Sequence, residues 1–209
     1  MIVQWCIKGM HLGSDREAQR ILRDPGGLVS NWWRDVGTIR PDDIREKLTE
    51  VNLDMHVNHF DDPDPVSGRK FSEVTPFISL AAGVVERDKV ARTNFVHTAQ
   101  RTALWFGTGF GRRPTAYLFT CWVMLGTRSA VEIEHIAEEI RDLNTYRRYS
   151  DFQTEGEVTA KISVPGNQIK ECKKWEWDQT AKKFSVTGRW MNPQFVPPDA
   201  LSNIREVVP

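Results

Sequence analysis

The sequence has little that would suit a membrane span, a disulfide framework or a nucleic-acid surface. No apolar run approaches the roughly 20 residues that cross a bilayer. The three cysteines are odd in number and lack a Cys-x-x-Cys spacing, so we expect reduced core thiols and no zinc site. Basic and acidic residues number 28 each, and this formal charge of zero gives no global electrostatic argument for nucleic acid. A local basic patch is still compatible with it.

The composition is that of an ordinary globular protein. Of 209 residues, 40% are hydrophobic and 27% charged, which is enough for one domain with a real core. We expect most of the eight tryptophans in the core or in a cleft wall. The first ten residues, MIVQWCIKGM, show no evident signal peptide, so a cytoplasmic protein or a secreted or delivered effector is expected.

Apolar runs predict the strands of a sheet. They fall at 2–7, 75–82 and 117–125, and two further strands are predicted at 172–177 and 184–190, which mix aromatic residues with charged and polar ones. The run from 117 to 125 is apolar throughout, as expected of a central strand buried on both faces. The last two strands flank a turn and predict a hairpin.

Capping residues and periodic apolar positions predict four helices. The first helix begins at a capping box formed by Ser14 and Glu17, and it ends before Pro25. The others begin near Pro41, at Asn94 and after Ser129. The mixed order of strands and helices predicts a single α/β (α+β) domain over residues 1–209, in which 191–209 form a proline-rich tail.

Two segments look like ligand sites without the required spacing. Residues 107–114, GTGFGRRP, are glycine-rich and basic, but they lack the Walker pattern and a strand directly before it. We therefore predict a turn there, not a phosphate loop. His56 and His59 have no third ligand at a usual spacing, so no metal site is predicted.

The most informative stretch is 152–169, FQTEGEVTAKISVPGNQI. From Val158 to Val164, apolar and polar residues alternate, which predicts a half-buried strand with one polar face. Glu155 and Glu157 fall on that polar face, roughly 6–7 Å apart from Cα to Cα. Gly156 between them lets a ligand or another backbone approach closely. Such a pair is either a solvated surface feature or a pair of catalytic carboxylates.

The surroundings of the pair carry a family resemblance. Glu155-Gly156-Glu157-Val158 is followed by Val164-Pro165, seven and eight residues after Glu157, and then by Gln168-Ile169. This pattern resembles the C-terminal motif of the mono-ADP-ribosyltransferases, in particular the cholera-toxin and pertussis-toxin group of bacterial enzymes. The resemblance implies two small mixed β-sheets around an NAD cleft with peripheral helices, and a toxin or effector that uses NAD.

The resemblance also implies roles for individual residues. Glu157 would be the catalytic carboxylate that bonds the nicotinamide ribose, Ser79 would orient it, and Glu155 would face the acceptor. Gln153 creates a competing Gln-x-Glu frame that ends at Glu155. We prefer Glu157 because the spacing to the Val-Pro pair matches from there.

Further roles concern NAD and the acceptor. Lys8 and Gly9 end the first strand, where the family has an arginine that holds the NAD phosphates. The family also has a histidine before its second strand that steadies the bound ribose, and His59 resembles it better than His56 by its distance along the chain from Ser79. Four residues of one loop would contact the acceptor: Tyr146, Arg147, Arg148 and Tyr149.

Three functions remain open on these grounds. The first is an NAD-dependent transferase that modifies an acceptor macromolecule, with protein arginine expected and nucleic acid not excluded, and releases nicotinamide. The second is an NAD glycohydrolase on the same fold. The third is a noncatalytic binding module. The family has a Ser-Thr-Ser of which this chain keeps only Ser79, with Leu80 and Ala81 after it, and Lys8 replaces the family arginine. No membrane partner is expected.

Overall fold

A long, largely antiparallel sheet forms the centre of the chain in a computed structural model that describes residues 2–36, 41–87, 94–125, 138–139, 156–199 and 203–205. The strands follow one another across the sheet as β11 (Lys183–Met191), β10 (Ile169–Asp178), β6 (Thr115–Leu125), β1 (Ile2–Met10), β3 (Phe77–Ala81), β8 (Glu157–Lys161) and β7 (Glu138–Glu139). Strand β12 (Asn203–Arg205) pairs in parallel with the start of β1.

Six α-helices and two small ribbons complete the described part of the chain. The helices are α1 (Asp15–Arg23), α2 (Asn31–Asp35), α3 (Pro41–Lys47), α4 (Glu50–Asn58), α5 (Phe71–Val74) and α6 (Ala99–Gly107). The ribbons pair β2 (Leu28–Val29) with β9 (Ser163–Val164) and β4 (Val84–Arg87) with β5 (Asn94–His97). Among the described residues, no helix is both long and apolar enough to cross a membrane.

The long sheet consists of two halves that meet between β1 and β3. Within the described residues, these strands share a single register pair, Ile7 opposite Ala81. The same edge of β1 is occupied by β12 further towards its start. The predicted mixed α/β fold is confirmed, and the two expected sheets are the halves β11-β10-β6-β1 and β3-β8-β7.

Strand β6 is the central strand that its apolar sequence predicts. Tyr117, Phe119 and Cys121 are buried in a cluster with α1 on one face. Ala116 and Leu118 are buried on the other face against α6. Full burial of a side chain such as Phe119 stabilises the fold by about 1.5–3 kcal/mol. All three cysteines of the chain are free and buried, as expected.

The capping box at Ser14 is confirmed. Its hydroxyl accepts a hydrogen bond from the Glu17 amide at 3.3 Å, and the Glu17 carboxylate accepts one from the Gly13 amide at 3.0 Å. The Ser14 hydroxyl satisfies an amide that a helix start leaves unpaired, and the Glu17 carboxylate satisfies the amide just before the cap, so α1 begins at a defined residue. The predicted hairpin of β10 and β11 is also confirmed.

Three helix predictions need correction. The segment after Pro41 forms two helices instead of one, with Thr49 capping the second, whose Val51 is 69% exposed. Helix α6 begins after Thr98, whose hydroxyl accepts from the Arg101 amide, because residues 94–97 pair with β4. Phe106 of this helix is 45% exposed. The helix predicted after Ser129 lies mostly outside the described residues, and its Glu138–Glu139 segment is β7.

Candidate functional site

The pairing of β3 with β8 brings three polar side chains together. Ala81 lies opposite Glu157, and Ser79 lies opposite Thr159. Since alternate residues of a strand share a face, Ser79, Glu157 and Thr159 project from the same side of this half-sheet. The candidate catalytic carboxylate and the serine expected to orient it are therefore neighbours.

The alternating sequence predicted a half-buried strand with one polar face. In the structure that polar face is buried as well. Thr159 is fully buried, Lys161 is 2% exposed and Glu157 is 8% exposed. Phe77 on β3 packs with Leu53 and Val57 of α4, so this helix covers the polar face of the half-sheet. The strand has two buried faces, and its polar residues form a buried site.

Hydroxyl groups and a lysine surround the Glu157 carboxylate. Thr159 donates its hydroxyl hydrogen to Glu157 Oε1 over 3.2 Å, and the Ser79 hydroxyl also hydrogen-bonds this carboxylate. Burial raises the pKa of Glu157, whereas Ser79, Thr159 and the charge of Lys8 act in the opposite direction. Lys8 is half-buried at the end of β1, and burial lowers its pKa although Glu157 opposes the shift.

His56 of α4 connects the site to the protein interior. Its Nε2 lies 2.9 Å from Ser79 Oγ and 3.8 Å from Glu157 Oε1, and its Nδ1 lies 2.9 Å from Thr75 Oγ1. Burial lowers the pKa of His56 to about 3, helped by the positive charge of Lys8. The imidazole is therefore neutral at ordinary pH.

The direction of these hydrogen bonds follows from what each group can donate. An ionised carboxylate only accepts, so Ser79 donates to Glu157 and its oxygen accepts from His56 Nε2–H. Nδ1 then carries no hydrogen and accepts from the Thr75 hydroxyl, whose oxygen accepts from the Phe77 amide at 3.2 Å. One chain of hydrogen bonds thus runs from the backbone of β3 to Glu157.

The structure places His56, and not His59, beside Ser79. His59 is exposed at the end of α4, and its Nδ1 lies 2.8 Å from Asp62 Oδ2. Helix α4 turns Leu53, His56 and Val57 towards the sheet. The distance along the chain does not show which side chains of α4 face the sheet, and it is this orientation that decides which histidine contacts Ser79.

Gly9 and Gly156 allow close backbone contacts around the site. A Cβ on Gly9 would overlap the carbonyl oxygen of Ala103, so this glycine lets α6 pack against β1. Gly156 has φ +59°, and a Cβ there would lie 2.6–2.7 Å from the backbone of Gly83. The close approach expected at Gly156 is therefore that of another backbone segment.

Several predicted residues lie outside the described part of the chain. These are Glu155, Gln153 and the loop residues from Tyr146 to Tyr149. The sequence reasoning gave no role to Thr75 or Thr159. Thr159 carried a signal, because it lies two positions after Glu157 on the same strand face. Among the described residues, no group of three or more His, Cys, Asp or Glu side chains is arranged to hold a metal ion.

Comparison with known proteins gives a result at the level of structure. No protein-family model and no curated protein matches the sequence. The solved structure of EcPltA matches with a TM-score of 0.53 at 14% identity, over 99% of this chain and 98% of that chain.

Two mutants of heat-labile enterotoxin match less closely. An arginine-to-lysine mutant, with a very flexible active-site loop in its A subunit, has a TM-score of 0.50 at 15% identity, over 95% of this chain and 81% of that chain. An inactive mutant of the E. coli toxin, in which a buried valine is changed to lysine, has a TM-score of 0.50 at 13% identity, over 95% of this chain and 82% of that chain. The chain therefore has the fold of the ADP-ribosyltransferase toxins, which it resembles in structure.

Proposed function

We propose that this chain is an NAD-dependent mono-ADP-ribosyltransferase that transfers ADP-ribose to an acceptor and releases nicotinamide. The observation that carries the proposal is the buried Glu157 carboxylate, which is oriented by the hydroxyls of Ser79 and Thr159 at the meeting point of the two half-sheets. The shared fold supports it.

Departure of nicotinamide from NAD is favoured by a fixed negative charge near the ribose. Nicotinamide leaves as a neutral ring from a positively charged linkage, and the ribose becomes cation-like in the transition state. An oriented carboxylate in a water-poor site stabilises such charge better than a solvated one. Glu157 fits this role. His56 fits beside it because a neutral imidazole orients Ser79 without adding a positive charge that would repel the sugar cation.

Lys8 is the residue that fits the NAD phosphates. Its ammonium group lies close enough to Glu157 for each charge to shift the other's pKa. An ammonium attracts phosphate as a point charge, but it cannot make the two-pronged contact of a guanidinium. We therefore expect NAD to be held by fewer fixed hydrogen bonds here than an arginine would provide.

Protein arginine is the proposed acceptor. The proposal rests on the Glu-x-Glu pattern, in which Glu155 would assist removal of a proton from a guanidinium that is otherwise fully charged. The loop from Tyr146 to Tyr149 would then contact the acceptor. Delivery as an effector is proposed on the same resemblance.

Labelled NAD tests the proposal and its alternatives. The protein is incubated with NAD carrying the label on its adenine side, together with a cell lysate. Label that enters protease-sensitive macromolecules supports the proposal, whereas label found only in free ADP-ribose indicates a glycohydrolase. Nuclease-sensitive label indicates a nucleic-acid acceptor. Absence of NAD turnover contradicts the proposal that the chain is an enzyme.

A variant pair assigns the activity to the site. Glu157→Gln keeps the shape and removes the charge, so we expect nicotinamide release to fall about 100-fold or more. Glu176→Gln, on the partly exposed hairpin, is the matched control and should keep full activity. Full turnover by Glu157→Gln would refute the assigned role.

A further inference from the structure

A concave surface lies away from Glu157, between α6 and the tip of the β10–β11 hairpin. This groove has a volume of about 1050 Å³ and is lined by α6, the turn after it and the hairpin. None of the residues placed in the catalytic proposal lines it. It also contains the glycine-rich basic segment, for which the sequence predicted only a turn.

Aromatic rings form both walls of the groove. On the helix side, Trp105 is 55% and Phe106 45% exposed, and both rings contact Phe110 at centroid distances of 5.9 and 5.5 Å. On the hairpin side, Trp177 and Phe184 pack edge to face at 5.2 Å. Trp105 lies in a cleft wall, one of the two places expected for the tryptophans, and its ring is available to a ligand.

The turn after α6 holds Phe110 in a costly conformation. Gly109, Phe110 and Gly111 have φ values of +61°, +63° and +77°, in a region that an aromatic residue rarely adopts. The buried Thr108 fixes the turn, since its hydroxyl accepts from the Gly111 amide at 3.0 Å. Phe110 is nevertheless 52% exposed, so the strain is not offset by burial of its ring. The arrangement positions an aromatic cluster at the surface.

The groove is cationic although the whole chain is neutral. Arg101, Arg112 and Arg113 line it, and no Asp or Glu does among the residues that the structure describes. Within that part of the chain, no ion pair joins these guanidinium groups to a carboxylate. A ligand that carries regular negative charge would therefore meet positive charge that is not already neutralised.

We propose that this groove binds single-stranded nucleic acid. Phosphates would meet the three arginines, and unpaired bases would stack on the rings of the two walls, the combination by which proteins bind single strands without sequence preference. A duplex hides its base faces, and the Asp and Glu side chains of an acidic peptide supply charge but no ring to stack. Binding here goes beyond ADP-ribosyl transfer and does not depend on it.

Fluorescence anisotropy with a labelled oligothymidylate about 12 nucleotides long tests the proposal at low salt. We expect the Arg112→Glu/Arg113→Glu double variant to bind at least about tenfold more weakly than the unchanged protein. Trp105→Ala should lose about fivefold or more, and Trp105→Phe should lose less, because base stacking depends on the ring. With three arginines engaged, the slope of log affinity against log salt should be about −2.

A charge-matched control separates this groove from general electrostatics. Arg16→Glu/Arg20→Glu makes the same charge change on exposed positions of α1, which packs against the other face of the sheet. This variant should bind the oligonucleotide within about twofold of the unchanged protein. Circular dichroism and thermal unfolding of every variant establish that each remains folded.

Four results would overturn the proposal. They are absence of binding, equal loss in the α1 control and the groove variant, equal affinity for a duplex of the same length, and displacement by polyglutamate at the same charge concentration. The last result would assign the groove to an acidic protein segment instead. Because Glu157→Gln leaves this surface unchanged, it should bind the oligonucleotide normally whether or not the chain transfers ADP-ribose.

Discussion

Nε2 of His56 lies 2.9 Å from Oγ of Ser79, and this contact joins helix α4 to the strand that faces Glu157. The relationship matters because Ser79 has a single hydroxyl hydrogen, which it donates to Glu157. Its oxygen must then accept from His56. The orientation of the carboxylate therefore depends on a histidine that does not itself carry charge.

Removal of His56 should disturb both stability and activity. In His56→Ala, Ser79 and Thr75 lose a partner in a buried site, so we expect the free energy of unfolding to fall by about 1–3 kcal/mol or more. Nicotinamide release should fall at least about tenfold. His59→Ala is the matched control and should change stability by less than about 0.5 kcal/mol, since His59 is exposed. Urea unfolding and a nicotinamide assay measure both quantities, and equal effects of the two changes would contradict the relay.

The stability of the protein should depend on pH through His56. Its pKa is lowered from 6.5 to about 3 in the folded state, so below pH 6.5 the unfolded chain binds a proton that the folded chain does not. The contribution of His56 is fully present above that pH and is lost as pH falls towards about 3. At about pH 5 the loss relative to neutral pH is about 2 kcal/mol.

His56→Gln tests this dependence because it retains a donor near Ser79 without a titrating group. Urea unfolding at about pH 7 and 5 should show a smaller decrease for the variant than for the unchanged protein. Lys8 and Glu157 are the charged groups that face His56. Glu157 contributes in the opposite sense, since its raised pKa gives stability that is present below its ordinary value of 4.5 and lost as pH rises through the folded value. A decrease of equal size in His56→Gln would exclude His56 as its source.

Lys8 should tune the pH at which the enzyme becomes active. Activity requires ionised Glu157, so it should fall as pH decreases through the pKa of this residue, which burial raises. The charge of Lys8 lowers that pKa, and Lys8→Met should therefore move the acidic limb of the rate profile to higher pH. KM for NAD should also rise about tenfold, because the phosphates lose a cation. The profile of nicotinamide release against pH measures the shift, and an unchanged midpoint would place Lys8 too far from Glu157 to matter.

Much of the fold was accessible from local sequence signals. The apolar run from 117 to 125 correctly predicted β6, and the capping box at Ser14 correctly predicted the start of α1. Each of these signals is confined to a few neighbouring residues. The start of α6 was wrong because Asn94 is a good cap in isolation, whereas pairing of residues 94–97 with β4 is a contact between separate segments. Local propensity does not contain that information.

The site could be predicted from the sequence only in part. Glu157 and Ser79 were identified from motif and order, but His56 required the phase of α4 relative to the sheet. The burial of Lys161 was missed for a related reason. Alternation predicts that one face of a strand is polar, but it does not reveal that a helix covers that face.

Gly156, next to the site, should tolerate alanine poorly. Its φ of +59° disfavours any side chain, and a Cβ would also lie 2.6–2.7 Å from the backbone of Gly83, which cannot move as a flexible side chain can. Gly68 has a similar φ of +69°, but no atom lies within 4 Å of its hypothetical Cβ. Gly68→Ala therefore measures the conformational cost alone, about 1–2 kcal/mol, and Gly156→Ala should exceed it by about 1–3 kcal/mol. Thermal unfolding gives this difference, and nicotinamide release should fall only in Gly156→Ala, because a shift of the Gly156 backbone displaces Glu157 from Ser79. Equal stabilities of the two variants would mean that the segments around Gly156 and Gly83 can separate at little cost in free energy. The close packing of these two backbones would then not be what positions the Glu157 carboxylate.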